Sequence, residues 1–404
     1  MRFWRKLVVL ASACLLVAGC GSGGGSGSED DGHLTWFMWT GSQEEVAAWK
    51  HVAGLVTKKY PDIHISFTTT SFGDYFTKLK AEAASDSLPC LISLQSQHAA
   101  GFGELFEPLG PYLKGSDGQG FDDTIMSGLK TGGAQRALPY DYGPYLLYYN
   151  KDMFAAAGAK QPTPDWTMDD FTAAMKKLGP KGLAAFPYPD SWLPFAVNEG
   201  HQYVSDSGQL QLTDPGVVKS FGWYSDLVHK YHYAPQVPAT KDLTWPTSQF
   251  QAGNAAMAMD GPWDLINTKN SVKFTFGLAP IPSVDGTSTT LVAGSGFGMS
   301  KSCPAKDSAA KAIKVMTGPG AEKYLAEQGR AFPARVDQQK YWYSNAVPGS
   351  KPALDAALKN AQPFRTTGSW DEVGQLMTQY GVPALNGAKS PGQALRSVQS
   401  QAAH

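Results

Sequence analysis

Four tryptophans stand beside turn-forming residues. Trp39 precedes Thr40 and Gly41, Trp192 precedes Leu193 and Pro194, Trp263 follows Gly261 and Pro262, and Trp370 follows Gly368 and Ser369. An indole face set on a loop packs well against the C–H face of a sugar ring, and neighbouring Asp, Gln and Asn side chains bind its hydroxyls. The plainer reading of each is a residue of the core or the lip of a fold. Catalytic signatures are scarce: there is no HExxH, no GxSxG, no Walker A loop and no CxxC. Ser127, Lys130, Thr131 and Gly132 spell both SxxK and KTG. In penicillin-recognising enzymes those two pieces come from distant elements, so their overlap here is chance. His229 and His232 are spaced to share a helix face, but no third ligand is suggested nearby, so they read as polar decoration and no metal or cofactor is expected. Paired carboxylates for glycoside hydrolysis stay open, because they need a separation of about 5 to 9.5 Å that a sequence does not show.

The chain that must position these residues is 404 long, enough for two or three domains and a sizeable core. It is 42% hydrophobic and only 17% charged, with 19 Phe, 17 Tyr and 11 Trp, which excludes a largely disordered chain. Lys and Arg total 34 against 35 Asp and Glu, and three of the basic residues lie in the first six positions, so the remainder is mildly acidic. That balance supplies no basic stripe for a phosphate backbone, and nucleic acid is not expected as a partner. Beyond residue 20 there is no run of about 18 apolar residues that would span a membrane.

The N-terminus has three parts. Arg2, Arg5 and Lys6 precede an apolar run over residues 7–17, and Val17, Ala18 and Gly19 then lead directly into Cys20. This reads as a secretory signal peptide over residues 1–19, too short to span. Small residues before a cysteine resemble the lipobox of bacterial lipoproteins, in which Cys20 carries the lipid. Residues 21–28 are only Gly and Ser, and residues 29–31 are acidic, so residues 20–32 read as a lipidated cysteine and a flexible tether. The body is thereby expected outside the cytoplasmic membrane, lipid-anchored to the bacterial cell. Cys90 and Cys303 remain in the body, either paired or as two separate buried thiols.

Residues 34–39 read as a strand, 43–59 as a helix with Val46, Trp49, Val52, Ala53 and Val56 inward, 63–67 as an alternating strand, 74–84 as a helix and 90–94 as a strand. This alternation predicts an α/β fold with a mainly parallel sheet, whose ligands sit at the carboxyl ends of the strands, where Trp39 and Gln95 fall. A further strand over 145–149 and a helix opened by the capping box of Thr167 and Asp170 start a second α/β lobe. Residues 217–229 and 305–316 read as helices, 255–259 and 274–280 as strands, and the last ninety residues as mostly helical.

Several blocks then resemble one family. Leu138, Pro139, Tyr140 and Asp141, followed by Leu147 through Phe154, Ala157, Gly158 and Trp166, closely resemble the "YYNKDLF…AG…TW" block of family 1 extracellular solute-binding proteins, the maltose-binding-protein-like receptors of sugar ABC importers. Phe250, Gly253, Ala255, Ala256 and Met257 with Gly261, Pro262 and Trp263 are similar to its "F…G.AAM…GPW" signature; Tyr60, Pro61 and Asp62 are similar to its "YPDI" turn; residues 279–282 with 294–298 are similar to its "P.P…GG.G" region. The chain departs from the family at Pro89, Cys90 and Leu91, and at the glycine pair interrupted as Gly294, Ser295, Gly296.

The resemblance implies a two-lobed, type II periplasmic-binding-protein-like α/β fold in which each lobe is a sheet flanked by helices and the ligand cleft lies between them. Crossovers are expected at 141–145, 292–296 and 333–341, giving a first lobe of 33–141 and 295–335 and a second of 142–294 and 336–404. Both body cysteines then fall in the first lobe, where a disulfide is plausible. Hinge closure over a sugar would present the closed shape to permease subunits of an ABC importer, with the receptor a monomer. Relatives of this family handle polyols, oligosaccharides and glycerol phosphodiesters, and Arg330 and Arg335 would line the cleft for an acidic ligand. The ligand set expected by position is Trp263 as the main stacking platform, Trp370 as a second, Trp192 as a lip aromatic and Trp39 from the first lobe. Gln95, Ser96, Asp141 and backbone N–H groups around Gly296 would bind hydroxyls. Asp141 equally reads as a turn cap before Gly143 and Pro144, and Gln95 and Ser96 as solvent-facing loop residues. A secreted carbohydrate-active enzyme and a surface lipoprotein with a macromolecular partner are the alternatives to a receptor without enzymatic activity.

Overall fold

The computed structural model describes residues 32–402. The expected signal peptide, Cys20 and residues 20–31 of the tether lie outside them. Eleven strands are present among the described residues: β1 His33–Trp39, β2 His64–Thr70, β3 Leu91–Gln95, β4 Lys130–Thr131, β5 Ala134–Gln135, β6 Leu138–Pro144, β7 Leu146–Asn150, β8 Met257–Asp260, β9 Phe276–Ala279, β10 Leu291–Met299 and β11 Gln362–Pro363. Among those residues no helix is long and apolar enough to cross a membrane.

The first lobe forms as its sequence periodicity dictates. The helix Gln43–Lys59 buries Ala48, Trp49, Val52, Ala53 and Val56 along one face, and Ser42 caps it by accepting the Glu45 N–H. Glu45 is buried on that face too, which the apolar pattern alone does not announce. The helix Phe72–Ala84 buries Tyr75, Phe76 and Leu79. Beneath these helices the sheet runs β11-β10-β3-β1-β2, with β6 along the other side of β10.

The expectation of a mainly parallel sheet holds for β1 with β2 and β3 and for the short pairing of β10 with β11. β10 runs antiparallel to both β3 and β6, and the second sheet, β8-β7-β9, is antiparallel throughout. The chain leaves the first sheet through β6 and re-enters it through β10, so these two neighbouring strands run in opposite directions. The second lobe builds around β8-β7-β9, with a core that includes Phe171, Trp192, Phe221, Tyr224 and Trp370. Its helix Met168–Leu178 opens on the expected capping box, with both reciprocal bonds of Thr167 and Asp170 formed.

The chain passes between the two sheets from β6 to β7 and from β9 to β10, and the segment around Phe332, which we take as a third passage, lies beside these two. Tyr145 joins β6 to β7 and donates its backbone N–H to Leu291 at the start of β10 (3.0 Å). The Tyr142 N–H bonds Phe332 of the third passage (3.0 Å), and Asp141 pairs with Pro333. These backbone bonds tie the neighbouring segments into one narrow connection between the lobes.

Cys90 and Cys303 are bonded, tying the entry of β3 to the loop after β10 across 213 residues of sequence. Such a crosslink restricts the unfolded chain more than the folded one. Cys303→Ser is expected to lower stability by about 2–5 kcal/mol; thermal unfolding with and without reductant checks this, and reduction should have no effect on the variant.

Candidate functional site

The lobe boundary is organised by a buried ion cluster beside the crossings. Arg330, 3% exposed, follows the helix Pro319–Gln328 and directs its guanidinium between Glu45 Oε2 (3.4 Å) and Asp141 Oδ2 (3.5 Å). Its planar face lies over the Trp49 ring at 4.7 Å. Asp141 also accepts the Ser295 N–H at 2.7 Å. Glu45 reaches the other lobe, accepting from Asn267 Nδ2 at 2.8 Å, and Asn267 donates in turn to Asp264 (3.1 Å). The cluster therefore joins the first helix, the first crossing, the entry to the third crossing and a helix of the second lobe.

In front of this cluster, residues from both lobes converge. β8 ends at Asp260, whose carboxylate accepts the Gly261 N–H (2.7 Å) and the Thr247 hydroxyl (2.9 Å). The chain then turns back so tightly that a Cβ on Gly261 would stand 2.2 Å from the Trp263 ring, so only glycine lets the indole fold over its own turn. Trp263 is partly exposed and meets Tyr145 edge-on, with ring centroids 5.4 Å apart. Asp190, in the first turn of the helix Pro189–Asn198, accepts from the Tyr145 hydroxyl (2.5 Å) and from Gln97 of the first lobe (3.1 Å). The rim is closed by Lys80 and Asp371 at 3.1 Å.

Residues 56–348 match the model of the family described as bacterial extracellular solute-binding protein. This chain belongs to that family. Among curated proteins, the solute-binding protein is similar to the maltodextrin-binding protein MdxE of Bacillus subtilis (strain 168), 23% identical over 69% of this chain and 68% of that one. It is also similar to the sn-glycerol-3-phosphate-binding periplasmic protein UgpB of Brucella abortus (strain 2308), 25% identical over 41% of this chain and 40% of that one. Among solved structures, an ABC substrate-binding protein of Listeria monocytogenes in complex with cycloalternan superposes with a TM-score of 0.84 at 22% identity, covering 92% of this chain and 97% of that one. Maltose-bound T. maritima MalE3 superposes at 0.76 and 21% identity, covering 92% and 99%. The fold is the two-lobed type II periplasmic-binding α/β fold, and the family places the protein outside the cytoplasm.

The solute-binding protein brings together only part of the expected ligand set. Trp263 lies at the boundary and is partly exposed. Trp192 is 1% exposed, inside the helix Pro189–Asn198, donating its Nε1–H to the Pro187 carbonyl and packing on Phe221, so it is a core residue rather than a lip. Trp370 is likewise 1% exposed, against Tyr203 and Phe364. Trp39 ends β1 but is buried edge-on to Phe72 and Tyr75. Pro194 lies inside a helix and Gly368 just before one, while Gly41 is an exposed loop residue after the strand that buries Trp39.

The polar candidates are mostly committed to the fold. Gln95 Oε1 bonds His98 Nδ1 (2.7 Å), and Ser96 Oγ accepts the Gly294 N–H (3.3 Å). Asp141 pins the crossing, and Gly296 is needed because a Cβ would stand 2.6 Å from the Leu138 carbonyl oxygen of the adjacent strand. Arg330 and Arg335 do not line the cleft: the first is buried between carboxylates, the second lies over Phe121 at 4.1 Å and donates to the Thr317 carbonyl. His229 bonds the Ser225 carbonyl, while His232 sits past the helix end with positive φ. The boundary residues that sequence reasoning missed are Gln97, Tyr145, Asp190, Asp260 and Asn267. Only Asp260 carried a signal, as the last residue before the Gly-Pro-Trp turn.

Burial raises the Asp141, Asp190 and Asp260 carboxyls to about 6, and Asp264 is raised well above the usual range by burial and by Asp260. A carboxyl raised on folding holds a proton in the native state that the unfolded chain has lost. Between the unfolded pKa near 4 and about 6, stability therefore falls as pH rises. Buried His98, lowered to about 3, acts with the opposite slope below its unfolded value, so wild type alone mixes the two. Replacing Asp190 by Asn isolates one carboxyl. The gain in melting temperature on acidification from about pH 7 to about pH 5 is expected to be smaller in Asp190→Asn than in wild type, measured by calorimetry. Arg330→Met should cost about 3–5 kcal/mol, because it leaves Glu45 and Asp141 buried without a counter-charge; denaturant titration reads that loss directly.

Proposed function

We propose that this protein captures a carbohydrate between its lobes and delivers it to the permease subunits of an ABC importer, without chemical turnover. The observation that carries this reading is Trp263: a partly exposed indole at the lobe boundary, flanked by Asp260 and by the Tyr145 and Asp190 pair. A flat apolar surface ringed by hydrogen-bonding carboxylates and hydroxyls matches the two chemistries of a sugar, its C–H face and its hydroxyl edge. The relatives support the class, since three of the four named above are described with maltodextrin, cycloalternan and maltose, and the fourth with sn-glycerol-3-phosphate.

The remaining parts of the reading follow from the sequence. Cys20 would carry a lipid, residues 20–32 would give reach from the membrane, and a single copy would present its closed lobes to the permease. Asp141 acts here on the crossing rather than on the sugar, and Trp263 takes the stacking role without Trp192 and Trp370.

A thermal-shift panel of mono-, di- and trisaccharides and polyols tests the proposal. A sugar at about a hundred times its dissociation constant stabilises the native state by about 2.7 kcal/mol, a visible shift. Trp263→Ala is expected to weaken that sugar at least tenfold while the variant keeps its fold. Silence across the panel, or release of sugar products on prolonged incubation, would overturn the reading.

A further inference from the structure

The lobes touch through a closed ring of three polar side chains. Gln97 Nε2 donates to Asp190 Oδ1 (3.1 Å) and to the Tyr145 hydroxyl oxygen (3.2 Å), and the Tyr145 O–H donates to Asp190 Oδ2 (2.5 Å). Each member comes from a different moving part. Gln97 stands just past β3 in the first lobe, Tyr145 on the first crossing, and Asp190 on a helix of the second lobe.

Tyr145 is fixed at both ends. Its backbone N–H bonds Leu291, its carbonyl accepts the Thr290 hydroxyl (2.9 Å), and its ring is held between Trp263 and Phe364. Gln97 is 1% exposed and Tyr145 2% exposed, so two members of the ring are shielded from water, and Asp190 is half-buried at its edge. A rotation that parted the lobes would carry Asp190 away from Gln97, break the ring and hydrate its members.

We infer that Gln97, Tyr145 and Asp190 form a closure latch, made by the protein's own side chains, that sets the fraction of molecules closed before any solute arrives. Charge-assisted hydrogen bonds in a shielded site are among the stronger ones available, whereas the exposed Lys80–Asp371 pair at the rim contributes little. The second buried tie, Asn267 to Glu45, lies back at the crossings, where the same rotation moves it less. Because apparent affinity scales with the population already competent to bind, the latch tunes affinity through the closed fraction, in addition to any hydroxyl contact that Asp190 offers. Gln97 and Tyr145 are positioning residues in this scheme. The inference concerns lobe geometry alone and stands or falls without a sugar.

Small-angle X-ray scattering of solute-free protein tests it. Gln97→Ala and Tyr145→Phe each remove two of the three hydrogen bonds of the ring, and Gln97→Glu sets a carboxylate against Asp190 in the same volume. The radius of gyration is expected to rise from wild type to Gln97→Ala and further to Gln97→Glu. The Gln97→Ala, Tyr145→Phe double variant should open no more than about the larger single effect, since either change breaks the ring. Circular dichroism and melting confirm that each variant is folded. For a sugar found by the panel above, affinity should fall about threefold to tenfold in Gln97→Ala, in proportion to the lost closed fraction. Identical scattering in folded wild type and Gln97→Glu would overturn the latch. So would a loss of affinity in Gln97→Ala with unchanged solute-free scattering, which would make Gln97 a direct solute contact.

Discussion

The structure depends on one buried cation. Arg330 lies between Asp141 and Glu45 with its plane over Trp49, where the first and third crossings meet the first helix. Removing a guanidinium and two carboxylates from water is costly, and mutual attraction offsets that cost only where the geometry is maintained. The cluster is thus better understood as a fixed point than as a source of stability. It holds Asp141 where Ser295 of β10 can bond it, and it brings Glu45 within reach of Asn267 in the other lobe. With these positions fixed, the lobes share one narrow connection.

What lies in front of that connection follows from it. Tyr145 is both a crossing residue and a wall of the cleft, so the ring that Trp263 packs against cannot move independently of the hinge. Asp260 and Asp190 have neutral donors for partners, namely a hydroxyl, a backbone N–H and the Trp263 indole for one, a phenol and an amide for the other. Such carboxylates retain hydrogen-bonding capacity for hydroxyls, at the expense of raised proton affinity. An aromatic face, acceptor oxygens and a hinge are the components that reversible capture of a polar ring requires, and no step of bond making is needed.

Much of this was legible in the residues. Amphipathic spacing in 43–59, the alternation of Ile63, Ile65 and Phe67, and the box of Thr167 and Asp170 are local signals, and local structure obeyed them. The direction of β10 was not legible, because strand polarity is set by where the chain returns from and not by its own pattern. The site was harder still. Trp263 was found since its turn forces it outward, whereas Trp192 and Trp370 have the same kind of neighbours yet open onto helices whose inner faces bury them. Gln97 and Asp190 are separated by 93 residues and meet only across two lobes, a juxtaposition that no spacing encodes. Gln95, two residues earlier, has the same side chain but is turned toward His98.

The most direct measurement of the central claim is a crystal structure of the protein with the best sugar from the screen. The account predicts the sugar between closed lobes, its C–H face on Trp263 and its hydroxyls within hydrogen-bonding distance of the Asp190 or Asp260 carboxylates. A sugar bound outside the lobe boundary, or between the lobes with the Trp263 face untouched, would contradict it.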